Sequence, residues 1–289
     1  MLNDRTRTQR YFEALRESVR PDSVVVDVGT GSGVLALAAA KAGARHVYAF
    51  EIGRMADAAE ALFAGNGMAD RITLLRGDAF ELELPEAADI LVSETIGREP
   101  LEQYALELSI DARERLLKPD GILIPHAMAI HATPVEIPAD ELDRIHFTEA
   151  TTARLRQWYD IDFTPLATAP VPRVMFKPGR TVLGWPRLAA PVEVAFVDFA
   201  RATERFVEQS GTAKVDRPGT VNGILVSFDL RLSPGSTFTT HPDRVSPDNS
   251  WKYTVILPEP VSVEPGAELD LTYRYRVPGR QPGVDLTIR

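Results

Sequence analysis

Val24-Val25-Val26-Asp27-Val28-Gly29-Thr30-Gly31-Ser32-Gly33 leads at once into Val34-Leu35-Ala36-Leu37-Ala38-Ala39-Ala40. Val24 to Val28 is a β-branched run broken only by Asp27, the composition of a buried strand. The second block is rich in Leu and Ala and predicts a helix through Ala42, ended by Gly43. Glycines at every second position between them permit positive φ and a close approach of ligand to backbone. The helix start then offers free N–H groups to a polar or anionic ligand group. Strand, glycine turn and helix in that order predict the opening unit of an α/β fold, with the turn as a candidate binding site.

The same alternation continues downstream. His46 to Glu51 reads as a second strand and Met55 to Phe63 as a helix, closed by Gly65-Asn66-Gly67. Ile72 to Leu75 and Ile90 to Ser93 read as the third and fourth strands, and Gly121 to Ile124 as the fifth. Leu101 to Leu117 has helical spacing through Leu101, Tyr104, Ala105, Leu108, Ala112 and Leu116. Strands alternating with helices predict a parallel sheet covered on both faces.

After Ile124 the composition changes. Only Pro21, Pro85, Pro100 and Pro119 precede that point, and the other prolines of the 22 follow it. Proline is costly inside helices and central strands, so the second part is expected to be turn-rich and β. Apolar residues alternate through Val226 to Leu232, Trp251 to Leu257 and Leu269 to Val277, which predicts antiparallel strands with one buried face. Ala139 to Trp158 is polar with helical character. The expected fold class is α/β: a Rossmann-like domain over 1–124, then an antiparallel sandwich or barrel over 125–289, with a helical arm at about 139–170.

Composition narrows the function. Lys and Arg total 32 against 41 Asp and Glu, a net charge of −9, which disfavours nucleic acid and anionic membrane as partners. The chain has no cysteine, and none of its five histidines forms a helical His-x-x-x-His pair, so no metal site is expected. The longest apolar run, Val34 to Ala40, is too short to span a bilayer, and Met1 to Arg10 lacks the apolar core of a secretory signal. A cytoplasmic protein is expected.

Three polar groups fall at the expected C-terminal edge of the sheet. Asp27 precedes the glycines, Glu51 ends the second strand, and Asp78 follows the third within Arg76-Gly77-Asp78-Ala79. An acid where Glu51 stands can accept both hydroxyls of a ribose, and Asp78 is placed to meet an adenine edge. The glycines fall at 29, 31 and 33, which is G-x-G-x-G, whereas a dinucleotide fingerprint is G-x-G-x-x-G. An ATP P-loop is excluded, since no Gly-Lys-Ser/Thr follows; a nicotinamide dinucleotide stays open as an alternative.

An acid two residues before glycines at that spacing resembles class I S-adenosylmethionine-dependent methyltransferases. Met1-Leu2-Asn3-Asp4-Arg5-Thr6-Arg7-Thr8, the glycine turn, Ala40-Lys41-Ala42-Gly43-Ala44-Arg45 and Ser93-Glu94-Thr95-Ile96-Gly97 together resemble the protein arginine methyltransferases. Asn249-Ser250-Trp251 stands where that family has a Thr-His-Trp loop before a barrel strand. The resemblance implies a β-barrel substrate domain, a helical dimerisation arm over Ala139 to Pro170, and S-adenosyl-L-methionine as cofactor. It implies that Arg7 binds the methionine carboxylate, with Asp27 near the methionine part. Gly29, Gly31 and Gly33 would form the cofactor turn, Glu51 would hold the ribose, and Asp78 with Ala79 would frame the adenine. Glu94 would be the first catalytic glutamate. The second would fall at position 103, which is Gln; Glu102, ahead of Glu99, is the nearby acid able to serve.

Such carboxylates have a chemical purpose. A guanidinium stays protonated at cellular pH, yet one nitrogen must attack the methyl carbon. Adjacent carboxylates orient it and draw positive charge away from that nitrogen. The expectation is an N-methyltransferase acting on a guanidino or amino group of a small molecule or peptide, working as a homodimer through the arm. Two alternatives stand beside it: a small-molecule O-, C- or N-methyltransferase of another type, and an inactive cofactor-binding regulatory partner.

Overall fold

The computed structural model describes residues 1–168 and 172–276, and the backbone of 283–288. Pro170 of the expected arm and Val277 of the last alternating run lie outside the described residues. The chain opens with a helix, α1 (Arg5–Ser18), where sequence reading expected only a polar stretch. Asp4 caps it by accepting from the Arg7 N–H, and Tyr11, Ala14 and Leu15 bury one face at helical spacing.

The expected α/β unit follows: β1 (Val24–Val28), α2 (Val34–Lys41), β2 (His46–Glu51), α3 (Met55–Gly65), β3 (Ile72–Arg76), β4 (Ala88–Ser93), α4 (Ala105–Leu116) and β5 (Leu117–Ile124). The five strands form one parallel sheet in the order β3-β2-β1-β4-β5. All five residues of β1 are buried, as a central strand with both faces covered requires. The strand order reverses at β1, so the crevice beyond β1 and β4 is where such sheets take ligands. One boundary departs from expectation. The helix expected from Leu101 begins at Ala105, because Tyr104 adopts a left-handed backbone (φ 59°) that a helix cannot run through. Residues 94–104 are therefore a loop.

The second half holds β6 (Ala127–Val135), α5 (Ala139–Leu142), α6 (Glu149–Tyr159), β7 (Val174–Pro178), α7 (Gly179–Val182), β8 (Val192–Asp198) and β9 (Val207–Lys214). It continues with β10 (Gly219–Val221), β11 (Gly223–Ser233), β12 (Ser236–Thr239), β13 (Lys252–Ile256), β14 (Val261–Val263), β15 (Glu268–Arg276) and β16 (Gly283–Ile288). All pairing here is antiparallel. One sheet runs β7-β13-β11-β6-β8 with β12 on β11, a second runs β16-β15-β9, and β10 pairs with β14. Gln209 of β9 reaches both the N–H and the carbonyl of Phe196 on β8, joining the two larger sheets edge to edge. The expected alternation holds in β11 from Phe228 to Leu232, whereas residues 223–228 are buried on both faces. One face packs into the main core and the other into a smaller core of Val135, Trp185, Leu225 and Tyr253.

The halves are tied through α1. Tyr11 Oη donates to the Ser93 carbonyl in the parallel sheet, while Ser236 donates to the Arg10 carbonyl and Ser233 to the Glu17 carboxylate from the antiparallel side. Tyr11 is fully buried between them. Truncating such an aromatic costs about 3–5 kcal/mol. No helix among the described residues is long and apolar enough to cross a membrane.

Candidate functional site

The turn after β1 is closed by its own side chains. Asp27 lies at the end of β1, fully buried, and its Oδ2 accepts from Thr30 Oγ1 at 2.5 Å and from the Ala36 N–H at 3.0 Å. Burial pushes its carboxyl up to about 7 against those two bonds. Its Oδ1 has no partner among the described residues. Gly33 sits at φ +82°, and a Cβ there would overlap the Phe63 ring of α3. Gly31 differs: it sits at φ +55° with open space where its Cβ would be. Its N–H donates to Glu51 Oε2 at 2.8 Å, and the Gly53 N–H donates to Glu51 Oε1 at 2.6 Å. Gly29 faces Thr95, at φ +73°.

Asp78 stands beside Glu51. The Gly77 N–H donates to the Glu51 carbonyl, and Asp78 then opens a turn, its Oδ1 accepting from the Phe80 N–H at 3.0 Å. Ala79 packs half-buried on the main core, and its carbonyl accepts from Arg115. Asp27, Glu51 and Asp78 thus mark the C-terminal ends of β1, β2 and β3, with the glycine turn linking the first two.

A second group assembles from four distant segments. Arg7 of α1 is buried, and its Nη1 lies 3.2 Å from Glu94 Oε1, the residue that follows β4. Its guanidinium lies 4.6 Å from the centroid of the Trp251 ring, at cation–π distance, and its Nε is 3.6 Å from Asp4 Oδ2. Asp4 in turn accepts from the Ser250 N–H and hydroxyl. Ser250, at the position where histidine was expected, therefore links its loop to the start of α1. Burial pushes the Glu94 carboxyl up, and the Arg7 cation pulls it back. Ser93 bonds to the Val28 carbonyl and to Thr95, which fixes this end of β4 against the glycine turn.

The remaining acids behave differently from Glu94. Glu102 Oε1 accepts from the Arg98 N–H at 2.9 Å and pairs with its guanidinium at 3.7 Å. Among the described residues it bonds to neither Arg7 nor Glu94. Glu99, the less favoured candidate for the second acid, is buried, and Tyr273 Oη donates to its Oε1 at 2.6 Å. Sequence reading missed Asp4 as a site residue, although its place three residues before Arg7 at a helix start was a signal.

The residues present fit S-adenosylmethionine. A Cβ at Gly31 would meet only the Gly29 carbonyl at 4.0 Å, Glu51 retains lone pairs for a diol, and Asp27 Oδ1 and Arg7 Nε are buried polar atoms without a hydrogen-bond partner among the described residues. His131, one of the histidines left out of any ligand set, packs edge-on against His241, and no group of three or more metal-ligating side chains occurs among the described residues.

Comparison with known proteins agrees with this geometry. Residues 5–164, more than half of the chain, match the family model for ribosomal protein L11 methyltransferase. The chain is 36% identical over 281 residues to a probable histone-arginine methyltransferase 1.4 of Arabidopsis thaliana, covering 93% of this chain and 52% of the relative. It is 36% identical over 289 residues to a probable histone-arginine methyltransferase CARM1 of Oryza sativa subsp. indica, with the same coverage. The chain spans about half the length of these relatives. Its fold matches that of the Trypanosoma brucei PRMT1 enzyme-prozyme heterotetrameric complex with AdoHcy, with a TM-score of 0.80 at 24% identity over 100% of this chain and 91% of that one. Taken with the glycine turn and the Glu94 loop, these matches show that the chain belongs to the protein arginine methyltransferase-like family of class I S-adenosylmethionine-dependent methyltransferases.

Proposed function

We propose that this chain transfers a methyl group from S-adenosylmethionine to a guanidino nitrogen of arginine in a protein or peptide. The observation that carries the reading is the seat of Glu94. It is a half-buried carboxylate at the ligand edge of the sheet that already holds one guanidinium, that of Arg7, beside an indole face. A second guanidinium entering beside Arg7 would find the same acceptor. The relatives named for histone arginine favour an acceptor within a protein over a free small molecule.

Glu51 and the Gly31 N–H would hold the ribose side of the cofactor, Asp78 and Ala79 would frame its base, and Arg7 and Asp27 would face its methionine end. The bound cofactor supplies an electrophilic methyl on a sulfonium. Glu94 orients the acceptor and concentrates its positive charge on the nitrogens it binds, which leaves the remaining nitrogen free to attack. That nitrogen releases a proton as the methyl arrives. With Glu94 engaged by the other nitrogens, that proton passes to solvent.

Gln103 favours a second reading, that of a cofactor-binding partner without turnover. Mass spectrometry separates the two. Chain, methyl donor and a glycine–arginine-rich peptide should yield a 14 Da increment per methyl, by simple addition of CH₂. No increment on peptides, histones or free guanidines, alongside calorimetric binding of the donor, would leave the second reading in place.

The arm supports a homodimer. Leu142 packs on the chain's own smaller core, and Lys177 bonds to Glu141, so the base of the arm is fixed. Trp158, Tyr159 and Ile161 at its tip are exposed, as are Ile52, Met55 and Leu62 at and beside α3. Arm tip on α3 of a second copy would cover both patches under two-fold symmetry. Light scattering that reports a monomer at working concentration would overturn this assembly.

A further inference from the structure

Two tyrosines on one strand each hold a carboxyl, one on the loop after β4 and one in the first turn of α4. Tyr273 Oη donates to Glu99 Oε1 at 2.6 Å, and Tyr275 Oη donates to Glu107 Oε2 at 2.8 Å. Tyr273 and Tyr275 lie two apart on β15 and so share a face. Both rings are fully buried, and both glutamates nearly so. The bonds bracket residues 99–107, which include Glu102, Gln103 and the left-handed Tyr104. Glu99 Oε2 also accepts from the Leu101 N–H at 3.1 Å, so the same carboxyl ties the loop to itself.

Adhesion alone does not call for buried acids. Apolar side chains of similar size hold two surfaces together without the cost of desolvating a carboxyl. A hydrogen bond between fixed atoms adds register, and register matters in a loop whose first residue is Glu94. Neither Glu99 nor Glu107 bonds to Arg7 or Glu94 among the described residues, so any effect on chemistry passes through the loop backbone.

On the methyl-transfer reading above, we propose that Glu99 is a positioning residue: its bond to Tyr273 fixes the 94–104 loop on β15 and thereby sets where Glu94 meets the acceptor, while the Tyr275–Glu107 bond holds the helical end of the same segment. Burial pushes the Glu99 carboxyl up to about 8; the bonds from Tyr273 and Leu101 oppose the rise, and the Glu102 charge adds to it. The groups that face it are Tyr273 and, further off, Tyr275 from β15, and Leu101 and Glu102 from its own loop. So raised, the carboxyl favours its neutral form at neutral pH. Above pH 8 it ionises beside Glu102 in a dry site, which loosens the loop.

The test uses the full chain, saturating methyl donor and a glycine–arginine-rich peptide. Tyr273→Phe should lower kcat about tenfold while KM and donor affinity stay within about twofold, since small misplacements of a reacting group cost rate rather than binding. Deuterium exchange of the 94–104 amides should quicken about fivefold or more in the same variant, because an opened segment loses protection. Glu99→Gln keeps the size and one acceptor, enough for the Tyr273 bond but not also for the Leu101 N–H, and it cannot ionise; it should keep more of the kcat at pH 7 than Tyr273→Phe does and lose the fall in kcat near pH 8. Tyr273→Phe with unchanged kcat and unchanged exchange overturns the proposal. So does an alkaline limb that Glu99→Gln leaves in place. If the unaltered chain methylates no acceptor, the function reading fails by itself, and the exchange comparison alone then decides whether β15 holds the loop.

Discussion

The glycine turn and the 94–104 loop meet at one edge of the parallel sheet, and they are held in opposite ways. In the turn, Asp27, Thr30 and Ala36 satisfy one another within ten residues, and Glu51 closes the turn from the adjacent strand. In the loop, Glu94 is held by Arg7 from 87 positions away and Glu99 by Tyr273 from 174 positions away. The turn is complete once a βαβ unit has folded. The loop reaches its final form only when α1 and the antiparallel sheets have docked. The turn's geometry is thus built locally, and the loop's carboxylates are set by the assembly of the whole chain.

The largest expected effect breaks the loop side of this comparison. Glu94→Gln removes the charge and keeps the size, so Arg7 retains an acceptor. Methyl transfer should fall about 10²–10³-fold, as for loss of one charged group in a reacting site. Donor affinity, measured by calorimetry, should stay within about threefold, because the turn does not depend on Glu94. A parallel loss of donor affinity would mean that the two regions are one unit.

The turn side breaks at Gly33. Gly33→Ala forces a Cβ into Phe63 at φ +82°, and strain plus overpacking should lower stability by about 2–4 kcal/mol. Gly31→Ala meets no neighbour within 3.9 Å and should cost only the left-handed backbone, about 1–2 kcal/mol. Urea denaturation distinguishes them. Equal losses would show that Phe63 yields to the intruding methyl.

That division explains what could be read from sequence. The spacing of Asp27, the glycines, Glu51 and Asp78 follows from the fixed lengths of strand and helix, and the structure gathers these residues at one edge. Which oxygen of Asp27 faces inward was not legible, since that depends on a capping bond made inside the turn. Glu99 looked like any loop acid because its partner stands on a strand 174 residues later. Tyr104 gives no warning of its positive φ, so the helix was started four residues too early. Asp4 and α1 were hidden by a basic surface over the buried face of Tyr11, Ala14 and Leu15.

A pH series sharpens the comparison next. The Asp27 carboxyl lies near 3.8 in an unfolded chain and about 7 when folded. Between those values the folded protein keeps a proton that the unfolded chain has lost, so stability falls as pH rises. The contribution is fully present below about pH 4 and gone above about pH 7, with a slope of up to about 1.4 kcal/mol per unit. Asp27→Asn should remove that slope from urea midpoints measured between pH 4.5 and 7, whatever it does to their level. An unchanged slope would place the titrating group elsewhere, with Glu99 the first candidate.

The smallest effects compare one bond from each region. Thr30→Val deletes the hydroxyl bond to Asp27, whose Oδ2 still accepts from the Ala36 N–H. The loss should be about 0.5–1.5 kcal/mol, the net worth of a bond whose acceptor is not orphaned. Tyr275→Phe deletes the bond to Glu107, whose other oxygen already lacks a partner among the described residues. That leaves a buried carboxyl with no donor, and about 1–3 kcal/mol should go. The two deletions remove the same kind of group, an O–H donated to a buried acid. Any difference in urea midpoint between them therefore measures redundancy: a locally closed turn backs up its own bonds, while a contact between distant segments has no substitute. If Thr30→Val proves the more damaging, the turn is the more finely balanced of the two regions, and its legibility in sequence owes nothing to robustness.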